Sequence, residues 1–353
     1  MTTDPITLRA TSVVDALRSA APDWRQVARH AAALPPEAGP LARALGDGRF
    51  IESVARYDRQ SSAAEGARDR LKLHANRAAV GGFLVAALGG VLLYLDAAPT
   101  SGIVPFVIAA LQVACIVLAL WSAVVITFRR PQADWSRNRS EAEHQRLAHF
   151  RSLLSAEAEP RPGELPLPPL ALEYARAFLL EDQLQWFRRR ARDFAPTVRR
   201  IERTRILAIF LIAAAMLPTI LALVRAPEVA AALPALAAWG EWLRQRLDSD
   251  LALLAGVVGG ALQTLVTTFA ATSLASRNAE TYERMAQRLA ALAGAPLDSA
   301  RRDAADGRPA TTSALWAELV FELSAEHREW SAAHRTAQLL VLDRSSGGSL
   351  GNS

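Results

Sequence analysis

The sequence holds one cysteine, Cys115, and one lysine, Lys72. A lone cysteine rules out a disulfide within the chain and any metal centre built on thiolates. Cys115 lies inside an apolar run and reads as a small packing residue. Also missing are a glycine-rich phosphate loop, an HExxH pair and any other catalytic constellation. The chain is therefore read as a non-enzyme that needs no cofactor and no metal. His30, His74, His144, His149, His327 and His334 are scattered over polar stretches and read as solvated surface residues. The N-terminus has no short apolar core with a cleavage site, so it is not a secretory signal. Lys and Arg outnumber Asp and Glu, 40 to 35. No basic segment alternates with stacking aromatics, however, and nucleic acid is not an expected partner.

Another absence is more informative. Four runs contain no Asp, Glu, Lys, Arg or His: Ala78–Leu95, Gly102–Phe128, Ile206–Val224 and Leu251–Leu274. About 20 apolar residues in a helix cross the ~30 Å hydrocarbon layer. Only helices and closed barrels satisfy their backbone there, and these runs are too long for barrel strands. The expected fold is all-α and integral to the membrane: four transmembrane helices as two tandem hairpins, with long cytoplasmic helices. Pro105 falls in the first turn of the second run, where its missing N–H costs little. Pro218 lies inside the third and is expected to kink it.

Arginines flank the runs asymmetrically. Arg68, Arg70, Lys72 and Arg77 precede the first, and Arg129, Arg130, Arg137 and Arg139 follow the second. Arg199, Arg200, Arg203 and Arg205 precede the third, and Arg277, Arg284 and Arg288 follow the fourth. The loop Asp96–Ser101 has no basic residue, and Arg225–Asp250 has Arg225, Arg244 and Arg246. The positive-inside rule then puts both termini and the central region in the cytoplasm.

The expected organisation follows. Residues 1–77 form N-terminal cytoplasmic helices, 78–128 the first hairpin, and 129–205 cytoplasmic helices. Residues 206–274 form the second hairpin, 275–343 the last cytoplasmic helices, and 344–353 a flexible tail of linker composition. The proline-rich stretch 159–169 reads as a non-helical linker between two similar halves. Leu172, Leu180, Leu184, Phe187 and Ala191 recur at helical spacing over Leu170–Arg205. Trp316, Val320, Leu323, His327 and Trp330 do so over Ser313–Leu342. Such stripes must be buried. In the outer loop, Leu236, Trp239, Leu243 and Leu247 share a face. They suggest a short interfacial helix anchored by Trp239 and Trp242.

Candidate functional residues are the polar and small positions within the runs. Gln112, Cys115, Ala119 and Ser122 fall on one face of the second run. Gly256, Gly260, Gln263 and Thr267 share a face of the fourth, flanked by Thr264 and Thr268. Gly82, Ala86 and Gly90 make small-xxx-small steps, as do Gly256 and Gly260. A glutamine in hydrocarbon must find hydrogen-bond partners or water. Two roles stay open: a bond to a neighbouring helix, or the lining of a hydrated path. The lining candidates are Gln112, Ser122, Gly256, Gly260, Gln263, Thr264 and Thr267. No charge sits within the runs, which weighs against a transporter.

Aromatic and polar residues around the runs form a further pattern. Tyr174, Gln183, Gln185, Trp186 and Phe187 precede the third run. Trp135, Arg139, Ala142 and Glu143 follow the second, and Glu322, Glu326, Glu329 and Trp330 lie near the end. In these positions the chain resembles the SLATT superfamily of bacterial membrane domains, most clearly over about residues 170–335. The first half keeps only Tyr57 and Arg59 of the entry signature. The resemblance implies an oligomeric pore-forming effector of bacterial antiphage or conflict systems, switched by a partner or ligand not encoded in this chain. The expected partners are a lipid bilayer and further copies of the chain. The competing expectation is a membrane-anchored scaffold whose cytoplasmic helices recruit a soluble sensor.

Overall fold

The computed structural model describes residues 4–97, 103–224, 238, 249–273, 275–308 and 310–325. Among these residues the fold is all-helical, and no strand is present. The helices are α1 (Pro5–Ala20), α2 (Val27–Ala33), α3 (Gly39–Gly46), α4 (Gly48–Ala97), α5 (Ile103–Arg129) and α6 (Pro131–Leu154). They are followed by α7 (Leu167–Ala175), α8 (Glu181–Val224), α9 (Ser249–Ser273), α10 (Ala275–Leu292) and α11 (Ala295–Ala305). Residues 310–325 are also helical. A π-helical turn, Arg176–Leu180, joins α7 to α8.

The chain divides into two compact units. A polar unit comprises Met1–Arg68, Gln132–Phe194 and Arg277–Ser353, and an apolar unit comprises Asp69–Pro131 and Ala195–Ser276.

The polar unit is built as a water-soluble bundle is built. Its first helix starts where Asp4 caps the Ile6 N–H at 2.9 Å and Pro5 occupies the first position. Ala10, Val13, Val14 and Leu17 then recur on one buried face. Helix α7 lies at the centre, in contact with α1, α3 and α11. Its residues Leu170, Tyr174 and Phe178 of the adjoining π turn are almost fully enclosed. Leu172, Leu180 and Phe187 of the expected stripe are buried, and Leu184 is half-buried. The helix begins at Leu167, inside the stretch read as non-helical. Pro168 and Pro169 fall in its first turn, whose N–H groups have no helical acceptor, so proline is tolerated there. Towards the C-terminus the buried stripe is Leu315, Leu319 and Leu323, with Trp316 and Val320 half-buried beside it. The buried stripe thus shares Leu323 with the expected one but otherwise runs one residue earlier, because leucine, not tryptophan, takes the enclosed positions. His327 and Trp330 lie outside the described residues.

The apolar unit is built differently. Two helices, Gly48–Leu93 and Ile103–Arg129, contain stretches long and apolar enough to cross a membrane. Yet only 17% and 6% of those stretches are buried within the protein. Helix α5 has 27 residues, or about 40 Å, enough to cover the hydrocarbon layer. Pro105 sits in its first turn, as expected, and α8 continues through Pro218. A shorter apolar stretch, Leu254–Thr267, lies within α9.

Candidate functional site

The polar and small positions of the apolar unit occupy three kinds of place. The first is a sealed contact between α4 and α5. A Cβ on Gly81 would stand 3.0 Å from the Ala119 Cβ and 3.2 Å from the Cys115 carbonyl. A Cβ on Gly89 would stand 3.0 Å from the Gln112 Nε2. That nitrogen donates to the Val85 carbonyl at 3.0 Å. Gly81, Val85 and Gly89 are spaced by four, so one ridge of α4 receives the face Gln112–Cys115–Ala119 of α5. Of the two roles open to Gln112, this geometry is the bond to a neighbouring helix. Ser122 continues the same face and is fully buried, and its Oγ has no hydrogen-bond partner.

The second place is the contact of α9 with α8 and α4. A Cβ on Gly256 would come within 2.7 Å of the Ala215 Cβ. One on Gly259 would meet the Leu211 Cβ at 2.8 Å and the Ile212 backbone nitrogen at 3.0 Å. One on Gly90 would meet Val257 at 2.6 Å. These are close-packed glycine contacts of the kind that lets membrane helices approach. They shift the expected register. The steps read from the sequence used Gly82 with Gly90 and Gly256 with Gly260, whereas Gly82 and Gly260 face open space. Gly81, Gly89 and Gly259 take tight places beside the expected Gly90 and Gly256. The signal for them was present: each is the other half of a glycine pair. Successive helix positions differ by about 100°, so the two members of a pair address different neighbours.

The third place is an open face of α9. Gly260 and Thr264 lie one turn apart, and the exposed Thr264 hydroxyl donates to the Gly260 carbonyl at 3.0 Å. Thr267 is half-buried. Gln263 is half-buried too, but its Oε1 is enclosed and has no hydrogen-bond partner. An enclosed amide oxygen left unpaired costs about 1–3 kcal/mol. The two glutamines that match in the sequence therefore differ: Gln112 is satisfied through Nε2, and the Gln263 oxygen awaits a donor. The anchors Trp239 and Trp242 lie outside the described residues.

Trp186, Arg139, Ala142 and Glu322, among the residues read as resembling SLATT domains, lie in the polar unit and pack or pair there. Trp186 meets Phe187 with ring centres 4.9 Å apart and Tyr282 at 5.4 Å, both edge to face. Arg139 and Arg190 lie over the Trp186 ring at 6.0 and 5.5 Å. Arg139 also pairs with Glu143 at 2.6 Å, and Ala142 is fully buried. Glu322 pairs with Arg288 at 2.8 Å. Glu326, Glu329 and Trp330 lie outside the described residues.

Two histidines are in the core, against the surface reading. The His30 Nε2–H donates to the Ala21 carbonyl at 3.0 Å, and its Nδ1 accepts from the Tyr174 hydroxyl at 2.8 Å. Burial holds its pKa below the ordinary value. The Ser53 hydroxyl donates to the Phe50 carbonyl at 2.7 Å, so it accepts from the His149 Nδ1–H at 2.8 Å. Nε2 of His149 is left without a partner among Trp24, Phe50 and Phe150. Burial, with the neighbouring His30 adding to it, pulls the His149 pKa down to about 4. Polar neighbours in the sequence concealed both, because the hydroxyls they meet, Tyr174 and Ser53, lie far along the chain. His144 is exposed and His74 half-buried.

A buried ion network crosses the same unit. Glu173 is 1% exposed and receives Arg176 Nε and Arg301 Nε, each at 2.6 Å. Arg176 also pairs with Asp15 and Glu181, and Arg18 bridges Glu181 and Asp182. Its partners come from α1, α7, α8 and α11, so every buried charge is compensated. Among the described residues no three His, Cys, Asp or Glu side chains converge to hold a metal.

No protein-family model, no curated protein and no solved structure matches the chain.

Proposed function

We propose that this chain is a four-span protein of the bacterial inner membrane that assembles into an oligomeric channel or pore, with the polar unit and both termini in the cytoplasm. One observation carries the membrane reading: the most apolar helix is the least buried. On α5, Phe106 is 73% exposed, Leu120 61% and Trp121 60%. Water does not tolerate such a surface on a folded helix, and hydrocarbon does. The runs Ile206–Val224 and Leu251–Leu274 complete two hairpins by length and composition.

The channel reading is supported by the open face of α9. Gly260 and Thr264 present a small, weakly polar surface, and the unpaired Gln263 oxygen lies on the same helix. A second copy or a file of water would supply the missing donor. The resemblance to SLATT domains points the same way, towards an effector that permeabilises the membrane in a conflict system when a partner or ligand acts on the polar unit.

Ion flux from liposomes tests this. Wild-type oligomers should conduct, and Gln263→Leu should keep its oligomers while flux falls. Oligomers that form but never conduct would favour the scaffold reading. That reading has its own support, since Gln112, Gly256 and Gly259 are all spent on sealed contacts.

A further inference from the structure

Six arginines flank the apolar runs, and none of them has an ion pair among the described residues. Arg77 precedes the first apolar run, and Arg129 and Arg130 follow the second. Gly81 packs on Ala119 and Gly89 on Gln112, so α4 and α5 run antiparallel and bring these arginines to one end. Arg199, Arg200 and Arg203 lie on α8 just before its apolar run. In the proposed topology α8 enters from the same side. All six side chains are exposed. Arginines of the polar unit such as Arg25, Arg43, Arg176 and Arg301 are paired with carboxylates. These six carry no ion pair among the described residues, and Glu202 is the one acid between Arg199 and Arg205.

Their depth is informative. Arg203 and Arg199 stand about 4.5 and 10 Å before Ile206 along the helix axis, at about 1.5 Å per residue. The headgroup layer is about 5–8 Å thick on each side of the hydrocarbon. An arginine side chain easily spans the difference. Arg130 adds a separate observation. It joins α5 to α6 with φ of 43°, in the left-handed region. Glycine or asparagine normally takes such a junction, because a Cβ is sterically costly there. Keeping arginine at this point puts a guanidinium, at that cost, where the chain leaves the bilayer.

We propose that these six arginines form a binding surface for the phosphate groups of anionic phospholipids. It rests on the membrane reading above and adds which lipids the protein holds. Guanidinium matches phosphate in a fork of two N–H donors, and each basic residue near an anionic surface adds about a fivefold preference.

The test uses the full chain in nanodiscs of equal phosphatidylcholine and phosphatidylglycerol, with native mass spectrometry of the lipids that stay bound. Wild type should retain phosphatidylglycerol in large excess. The combined variant R199Q, R200Q and R203Q should lose that preference by about a hundredfold while resisting alkaline extraction as wild type does. R130G should lower the preference about fivefold and still raise thermal stability, since glycine removes the strain. A wild-type lipid preference in the combined variant would overturn the proposal. So would displacement of bound phosphatidylglycerol by millimolar inorganic phosphate, which would mark a site for free anions. A chain that washes off at alkaline pH would instead overturn the membrane reading, by a visibly different result.

Discussion

The two units bury opposite things. In the polar unit the enclosed side chains are large, with Phe50, Phe150, Tyr174, Phe178 and Phe187 at its centre. Among the described residues of the apolar unit the enclosed ones are smaller: Ala79, Cys115, Ser122, Ala208 and Ala261, with Val266 the largest. Its large side chains point outward, among them Val117, Phe128 and Phe210. In the proposed membrane reading, the difference follows from the solvent each unit answers to. Water drives big apolar surface inward. Hydrocarbon exerts no such drive, so helices associate through close backbone approach, and small residues collect at the contacts.

The largest effect that could break this comparison is truncation of an aromatic. Phe178→Ala empties a core position and should cost about 3–5 kcal/mol. Phe106→Ala, on the outward face of α5, should change stability by less than about 0.5 kcal/mol in detergent or lipid. Similar losses at both sites, measured by chemical denaturation, would mean that α5 is packed against protein.

Acid should act on the polar unit through His149. The folded pKa of His149, about 4, lies below the ordinary 6.5. The unfolded chain therefore binds more protons between these values, and stability is lost as pH falls from about 6.5 towards 4. The loss is at most on the order of 3 kcal/mol. A pH series of the His149→Leu variant should show a flatter slope over that window. An unchanged slope would assign the acid sensitivity elsewhere.

Glycine substitutions sharpen the comparison within the apolar unit. Gly259→Leu drives atoms into Leu211 and the Ile212 backbone and should cost about 1–3 kcal/mol or dissociate α9 from α8. Gly260→Ala meets open space and should be neutral, or stabilising by up to about 1 kcal/mol through helix propensity. A modest effect is expected at Gln112→Leu. It removes one bond to a carbonyl that also serves the helix, about 0.6–1 kcal/mol by thermal unfolding.

Much of this plan was legible in the sequence, and the reasons are specific. Runs without charge such as Gly102–Phe128 leave no other helical reading, and α5 occupies almost that span. The face Gln112–Cys115–Ala119–Ser122 followed from spacing alone, and it is the inward face of α5. What spacing could not give is which neighbour a face meets. The sequence reading took Gly82 and Gly260 for contact positions, and only the placement of α5, α8 and α9 shows that Gly81, Gly89 and Gly259 are the ones in contact. Nor could it find the cores around His30 and His149, whose partners Tyr174 and Ser53 lie 144 and 96 residues away. The proline stretch misled because proline fits the first turn of a helix, where Pro168 and Pro169 stand.

The account turns on whether the outward face of α5 meets lipid. Spin labels placed singly at Phe106, Val117 and Trp121 in the reconstituted protein would read this directly. Oxygen, which concentrates in hydrocarbon, should relax all three strongly, and a water-soluble nickel chelate should barely reach them. Labels at Gln112 and Ala119, in the α4 contact, should be shielded from both. Strong relaxation of the three outward labels by the chelate would place that face in water and contradict the account.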